Sequence, residues 1–356
     1  MISLTSAFAL EGKAIACERH GQGHINETYK VQTDCGRSYI LQKVNRHVFT
    51  DVPGLMQNVE MVTAHLAKAD PDPRHVIALV PTTEGRSYIQ DSKGDYWRVF
   101  HFITDSLCLE KAEGSEDFYQ SAVAFGHFQT MLADFPAQTL HMTIPRFHDT
   151  PNRFTALHRA IQADAADRVQ KVRKEIAIAL EQEARASAMV DMLEAGSLPL
   201  RVTHNDTKLN NVMLDAKTRK ALCIIDLDTV MPGLAANDFG DSIRFGANTA
   251  AEDEADLTKV ELSMPLYEAF TNGFIDACGA TLTDLEIETL PLGARLMTLE
   301  NGVRFLTDYL AGDTYYHISH PEHNLDRCRT QFKLMADMDA KWQIMNDVIA
   351  RARDRL

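Results

Sequence analysis

Apolar and polar positions alternate early in the chain. Residues 24–31 and 37–44 carry alternating and β-branched side chains on either side of Asp34-Cys35-Gly36, the pattern of a β-hairpin. A tight glycine pair, Gly21-Gln22-Gly23, stands just before it. Between 54 and 68 the period lengthens, with Leu55, Val59, Val62 and Leu66 at helical spacing. Strand-like runs return at Val76–Val80 and Tyr96–Ile103, so this part reads as sheet with one helix. Beyond Asp105 the pattern turns helical, and Phe118, Ala122, Phe125 and Phe128 form one stripe across 115–133. Residues 155–195 hold no Pro or Gly and have room for two or more helices. A strand-rich island follows at 198–203, 211–214 and 221–225, and helical patterning resumes from 257 to the end. No repeat or long flexible linker interrupts this order. The expected class is α+β, with a small β-rich N-terminal lobe (1–103) and a larger helical C-terminal lobe (104–356).

Composition narrows the function. A chain of 356 residues fits about two domains or one large two-lobed unit. The excess of 50 acidic over 36 basic residues, −14 net, argues against nucleic acid or anionic lipid as partner. No apolar run reaches the roughly 18–20 residues of a membrane helix. Met1-Ile2-Ser3-Leu4-Thr5 begins no basic-then-apolar leader, so none is expected. The six cysteines are scattered and never form C-x-x-C, as in a reducing cytoplasm. The expectation is a cytoplasmic monomer or weak dimer whose partners are small molecules.

The chemistry concentrates in one stretch. His204-Asn205-Asp206-Thr207-Lys208-Leu209-Asn210-Asn211 reads H-x-D-x-K-x-x-N, and a strand then leads to Ile225-Asp226-Leu227-Asp228. This spacing is that of the protein-kinase catalytic loop. Phosphoryl transfer needs an aimed hydroxyl, a metal bridging the phosphates and cations on the developing charge. Asp206 would serve the hydroxyl, Lys208 the γ-phosphoryl oxygens, and Asn211, Asp226 and Asp228 would offer Mg²⁺ hard oxygen ligands. Each residue alone is ordinary in a turn; the order of all of them carries the reading. The literal Asp238-Phe239-Gly240 looks like a kinase metal triplet but follows a Met231-Pro232-Gly233 loop. Asp238 and Asp241 are therefore expected to cap or brace the catalytic loop.

In the sheet region the Gly21–Asn26 turn, Gly23 included, could lay backbone N–H groups over ATP phosphates. Lys43 would contact phosphate and pair with Glu60 on the 54–68 helix, while Phe100 and Phe102 stand where a hinge would hold adenine. Taken singly, a solvated strand lysine and a surface glutamate fit Lys43 and Glu60 nearly as well. His317, His320 and His323 are spaced by three, but Pro321 breaks any helix that would gather them as metal ligands. Arg304, with Tyr315 and Tyr316 just beyond, suits a polyhydroxy ligand through fixed donors and an aromatic face.

These stretches together resemble the aminoglycoside-phosphotransferase/choline-kinase superfamily, and within it the branch acting on N-acetylhexosamines. The resemblance runs through Gly23-His-Ile-Asn26, Tyr39-Ile-Leu-Gln42, Asn58-Val-Glu60, Phe147-His-Asp-Thr-Pro151, Arg201–Asn211, Ile224–Thr229, Asp238–Gly246 and Pro321-Glu-His-Asn-Leu325. It implies a protein-kinase-like fold and ATP- and Mg²⁺-dependent phosphorylation of N-acetylglucosamine or N-acetylgalactosamine at the anomeric hydroxyl. It also implies Asp206 as catalytic base and His24, Arg304 and Tyr315 as sugar-pocket residues. The strand lysine of the superfamily aligns with either Lys43 or Gln42, whose side chains alternation sends to opposite faces. Other acceptors of the same fold are choline, homoserine and aminoglycosides; a nucleotide-binding pseudokinase would lack the base or the metal ligands.

Overall fold

The structure is a computed structural model describing residues 1–21 and 25–356; Gly23 and His24 lie outside the described residues. Along the chain the strands are β1 (Ala14–Arg19), β2 (Glu27–Thr33), β3 (Ser38–Val44), β4 (Tyr88–Gln90), β5 (Tyr96–His101), β6 (Ser106–Cys108), β7 (Arg201–Thr203), β8 (Val212–Asp215), β9 (Ala221–Ile224) and β10 (Met231–Gly233). The α-helices are α1 (Ile2–Thr5), α2 (Val52–Ala69), α3 (Ser115–Met131), α4 (Thr150–Ala163), α5 (Arg173–Gln182), α6 (Ala188–Glu194), α7 (Ala235–Gly246), α8 (Met264–Cys278), α9 (Asp284–Leu310), α10 (His323–Ala340) and α11 (Trp342–Arg353).

The chain divides into two compact units. One comprises Met1–Cys108, Asp134–Pro145 and Val212–Pro232; the other comprises Leu109–Ala133, Arg146–Asn211 and Gly233–Leu356. The expected boundary after residue 103 falls near Cys108, but segments 134–145 and 212–232 belong with the first unit.

The first unit is built on an antiparallel sheet in the order β1-β2-β3-β5-β4. Its hairpin register pairs Tyr29 with Leu41, and β3 pairs with β5 so that Leu41 faces Val99, Gln42 faces Arg98 and Lys43 faces Trp97. Strand alternation then sorts the side chains. Val31, Tyr39, Leu41, Trp97 and Val99 pack with Phe8 and Val80 on one face, while Gln42, Arg98 and Phe100 share the other. Asp51 starts α2 by accepting from the Gly54 N–H, with Pro53 in the first turn. The run Val76–Val80 is not a strand: it makes one bridge, Leu79 to Phe100, beside backbone bonds to Val99 and His101. Pro71, Pro73 and Pro81 surround it and remove the donors that a longer ladder would use. A second sheet, β6-β8-β9, completes the unit.

The second unit is helical. A capping box starts α9: Thr283 accepts from the Glu286 N–H and Glu286 accepts from the Thr283 N–H. Where α9 crosses α7, glycines meet. A Cβ on Gly293 would lie 2.1 Å from the Ala236 carbonyl oxygen, and one on Gly240 would lie 2.5 Å from the Gly293 backbone. This backbone contact brings α7, with Asp238 and Asp241, in beneath the 204–211 loop.

Candidate active site

The loop after β7 belongs to the second unit, and Asp238 holds it from below. The buried Asp238 carboxylate accepts from the backbone N–H of His204 and of Asn205, both at 2.8 Å, and from Gln129 Nε2 at 3.0 Å. Thr207 Oγ1 donates to the Asp238 carbonyl at 2.7 Å, and Ser242 Oγ donates to the Thr207 carbonyl at 2.9 Å. Burial pushes the Asp238 carboxyl up against this donor set. Its bracing role, and its place in the first turn of α7, match the expectation; it is no metal triplet. The His204 ring is fully buried against the edges of Phe125 and Phe128, at 5.5 and 6.0 Å between centroids. Asn205 takes a left-handed backbone, φ 65°, at the sharpest point of the loop.

The loop so held presents Asp206, whose side chain is 29% exposed. Lys208 Nζ lies 3.0 Å from Asp206 Oδ1, and Asn211 Nδ2 donates to Asp206 Oδ2 at 3.1 Å and to its carbonyl at 2.8 Å. With its amide nitrogen committed to Asp206, Asn211 offers a cation its carbonyl oxygen. Burial works against the Lys208 charge, but Asp206 and Asp241 outweigh it and hold the ammonium above its ordinary value. Asp241 is itself held below the usual carboxylate range: burial opposes this, and Arg244, Lys208 and His148 prevail. Arg244 Nε donates back to Asp241 at 3.0 Å. The sequence-predicted Asp206, Lys208 and Asn211 therefore form one cluster.

In the first unit, Asp226 follows β9 with a left-handed backbone, φ 60° and ψ 60°, a conformation that aims a side chain at some conformational expense. Asp228 does not fit a metal ligand. It is 3% exposed; its Oδ2 accepts from Asn26 Nδ2 at 2.6 Å and its Oδ1 forms an ion pair with Arg98 Nη1 at 2.6 Å. Arg98 also donates from Nε and Nη2 to Gln42 Oε1, at 3.1 and 2.9 Å, and Asn26 Oδ1 accepts from the Asn45 N–H at 2.9 Å. Asp228 is the hub of a buried brace, already neutralised by an arginine.

The expected Lys43–Glu60 ion pair is not formed. Lys43 Nζ lies 2.7 Å from Asp95 and 3.6 Å from Glu27. Alternation places it on the Leu41 face of the sheet, whereas the Gln42 face receives α2 through Met56, whose sulfur meets Arg98 Nη1 at 3.7 Å. Glu60 lines a cavity of about 950 Å³ with Thr63, Tyr88 and Tyr96 instead. The buried residue of that helix is Asn58, whose Nδ2 donates to the carbonyls of His141 (2.8 Å) and Val230 (3.1 Å). Phe100 is buried with the Arg98 guanidinium 5.0 Å from its ring, and Phe102 lies under Lys30 Nζ at 4.1 Å.

Arg304 stands over two rings of the second unit, Phe147 and Tyr316, each at 5.7 Å. Tyr315 is 72% exposed and meets Tyr316 edge-on, so Tyr316 is the aromatic partner of Arg304. Beside them α4 carries Arg153, and α9 carries Glu300, which is fully buried. His323 bonds Asp253 through Nε2 at 3.0 Å and accepts from the Ser319 N–H through Nδ1. Asn26 and Asn58 stand in the stretches that carry the resemblance, whereas no motif marks Arg98, Arg153 or Glu300. A charge inside an apolar run, as in Tyr96-Trp-Arg98-Val-Phe and Met297-Thr-Leu-Glu300, was the one available signal.

The chain belongs to the phosphotransferase enzyme family, whose pattern it matches over residues 16–270. Its fold is kinase-like. It is similar to an aminoglycoside phosphotransferase from Alicyclobacillus acidocaldarius (TM-score 0.62, 13% identity, 99% of this chain and 96% of that one). It is also similar to an amicoumacin kinase solved with AMP-PNP and Ca²⁺ (0.63, 13%, 94% and 92%). Choline kinase from Cryptosporidium parvum Iowa II gives 0.59 at 13% identity over 97% and 96%. Among the described residues no helix is long and apolar enough to cross a membrane.

Proposed function

We propose that the protein is an ATP-dependent N-acetylhexosamine 1-kinase, which transfers the γ-phosphoryl group to the anomeric hydroxyl and releases the sugar 1-phosphate and ADP. Asp206 orients that hydroxyl and takes its proton, and Lys208 meets the charge developing on the phosphoryl oxygens. Asn211 and Asp226 each offer a hard oxygen to Mg²⁺, which when bound draws the phosphate charge toward itself. Gly23 and the strand aromatics Phe100 and Phe102 complete the nucleotide side of the proposal, and His24 and Tyr315 the sugar side.

The observation that carries the acceptor is the Arg304–Arg153 pair. Arg153 Nε lies 4.0 Å from the buried Glu300 carboxylate, whose charge Arg304 also feels while standing over Phe147 and Tyr316. Burial and the charge of Arg304 hold Arg153 below its ordinary value. A choline-like or amine acceptor would add a further cation to a cluster already one positive charge in excess. A neutral polyol meets donors for its hydroxyls and an aromatic face for its ring. Electrostatics run on from this cluster to the base, since Arg304 feels Arg244, whose partner Asp241 feels Lys208.

The test is ATP consumption with N-acetylglucosamine, N-acetylgalactosamine, choline, homoserine and an aminoglycoside, with and without Mg²⁺. Phosphorus NMR of the product should show phosphate coupled to the anomeric proton, and the 1-O-methyl glycoside should be inert. Turnover confined to the amines would overturn the acceptor and leave the phosphotransferase standing.

A further inference from the structure

The second unit contains a cavity of about 180 Å³ bordered by α3, α7, α10 and the segment that follows α7. Local packing builds its walls. Gly302 of α9 lets α10 close in, since a Cβ there would lie 3.2 Å from Gln331 Cβ. Thr330 Oγ1 donates to the Glu254 carbonyl at 3.0 Å, and His323 Nε2 lies 3.0 Å from Asp253. These two bonds strap the 250–256 segment onto α10. On α7, Arg244 Nη1 donates to Glu252 at 2.6 Å while Nη2 lies 2.9 Å from Asp241. Phe118 of α3 and Leu209 of the 204–211 loop add apolar wall.

One side chain in this wall has no match in the fold. Gln331 is 1% exposed and lines the cavity. Neither its Oε1 nor its Nε2 has a hydrogen-bond partner among the described residues. Buried carboxamides are normally paired, and the polar neighbours are already engaged. Arg244 is held by Asp241 and Glu252, and Asn248 Oδ1 accepts from the Ala250 N–H at 3.1 Å. The charged residues of the wall balance, with Arg244 and Lys111 against Glu110 and Glu252. An ion of either sign therefore meets no net attraction.

A ligand for Gln331 must bring a donor and an acceptor side by side. An ionised carboxylate only accepts and an ammonium only donates, so each leaves half of the carboxamide unmet. Two adjacent hydroxyls supply both halves, one donating to Oε1 and the other accepting from Nε2. The volume suits a six-membered ring, since about 150 Å³ is enough for benzene. Phe118 and Leu209 offer the apolar face of such a ring a surface. We propose that this cavity binds a neutral cyclic polyol, with Gln331 reading a pair of adjacent hydroxyls. Arg304, Phe147 and Tyr316 are not among its walls, so the site is additional to the acceptor cluster and does not rest on the N-acetylhexosamine reading. Through Leu209 it adjoins the loop that carries Asp206.

The experiment is a ligand-observed NMR titration of the full chain with cis-cyclohexane-1,2-diol and with cyclohexanol. The wild type should bind the diol about tenfold tighter or more, because the single hydroxyl leaves half of the carboxamide unpaired. In Gln331→Met the ratio should fall to near one; taken within one variant, it is independent of how much protein folds. Gln331→Met should also melt no lower than the wild type, since the carboxamide it removes has no partner in the fold. Binding of neither probe would mean that the cavity holds only water, and the site would fall. Equal binding of the two by the wild type, or a diol preference kept in Gln331→Met, would overturn it as well. So would a melting temperature lowered by several degrees or a variant that fails to fold, for Gln331 would then serve the structure. Cyclohexanecarboxamide tests the ligand class, and tighter binding of this amide than of the diol would overturn the polyol.

Discussion

Asp206 and Asp226 lie close in sequence but in different units, and Asp206 stands beside Lys208 and Asn211. An amide in place of that carboxylate keeps the bond to Asn211 but takes up no proton. Asp206→Asn should therefore lower kcat by about 10²–10⁴-fold with nucleotide affinity little changed, as read by steady-state kinetics beside ATP titration. A near-normal kcat would take Asp206 out of the role. The two strand cations divide the other way. Lys43 pairs with Asp95 through side chains 28% and 15% exposed, so Lys43→Ala should change stability by no more than about 1 kcal/mol. Arg98→Met strands Asp228 in a buried site, and there the loss should reach about 3–5 kcal/mol. Urea unfolding of the two variants decides between them; equal losses would mean that Lys43 carries weight its geometry does not show.

At the scale of elements, the helix-on-helix contact of α7 and α9 tolerates no side chain. A methyl on Gly293 must push back the Ala236 carbonyl, which is backbone and cannot rotate away. Gly293→Ala should cost about 1–3 kcal/mol by overpacking, beyond any gain in helix propensity, and should lower kcat as well, because the displaced helix carries Asp238. A melting temperature unchanged from wild type would contradict the crossing. Most helices and the β2–β3 hairpin were legible because amphipathic period and turn residues are local signals. The Val76–Val80 run was not, because the prolines that flank it decide whether an apolar segment can join a ladder.

For the whole molecule, acid is the telling variable. Asp241 and Glu300 ionise below their ordinary values when folded, so each adds stability that is present above the unfolded pKa of about 4 and lost as the pH falls through the folded one. Asp238 runs against them, since its raised value adds stability at low pH that is lost as the pH rises through it. Two groups against one predict that the melting temperature falls on acidification below about pH 4, and that Glu300→Gln flattens the fall. A melting curve flat from pH 7 to 3 would show that these carboxyls are not coupled to folding as described.

The amino-acid order alone pointed to the class of the fold, the family and the 204–211 loop, because residues such as Asp206, Lys208 and Asn211 lie within one short stretch whose spacing is itself the geometry. Only the tertiary structure set Lys43 against Asp95 and Gln42 against Arg98, made Asp228 the partner of Arg98, and gathered His148, Thr150 and Arg153 around the buried Glu300 carboxylate. These depend on which face a strand turns inward and on contacts between residues far apart in the chain. No local pattern records either.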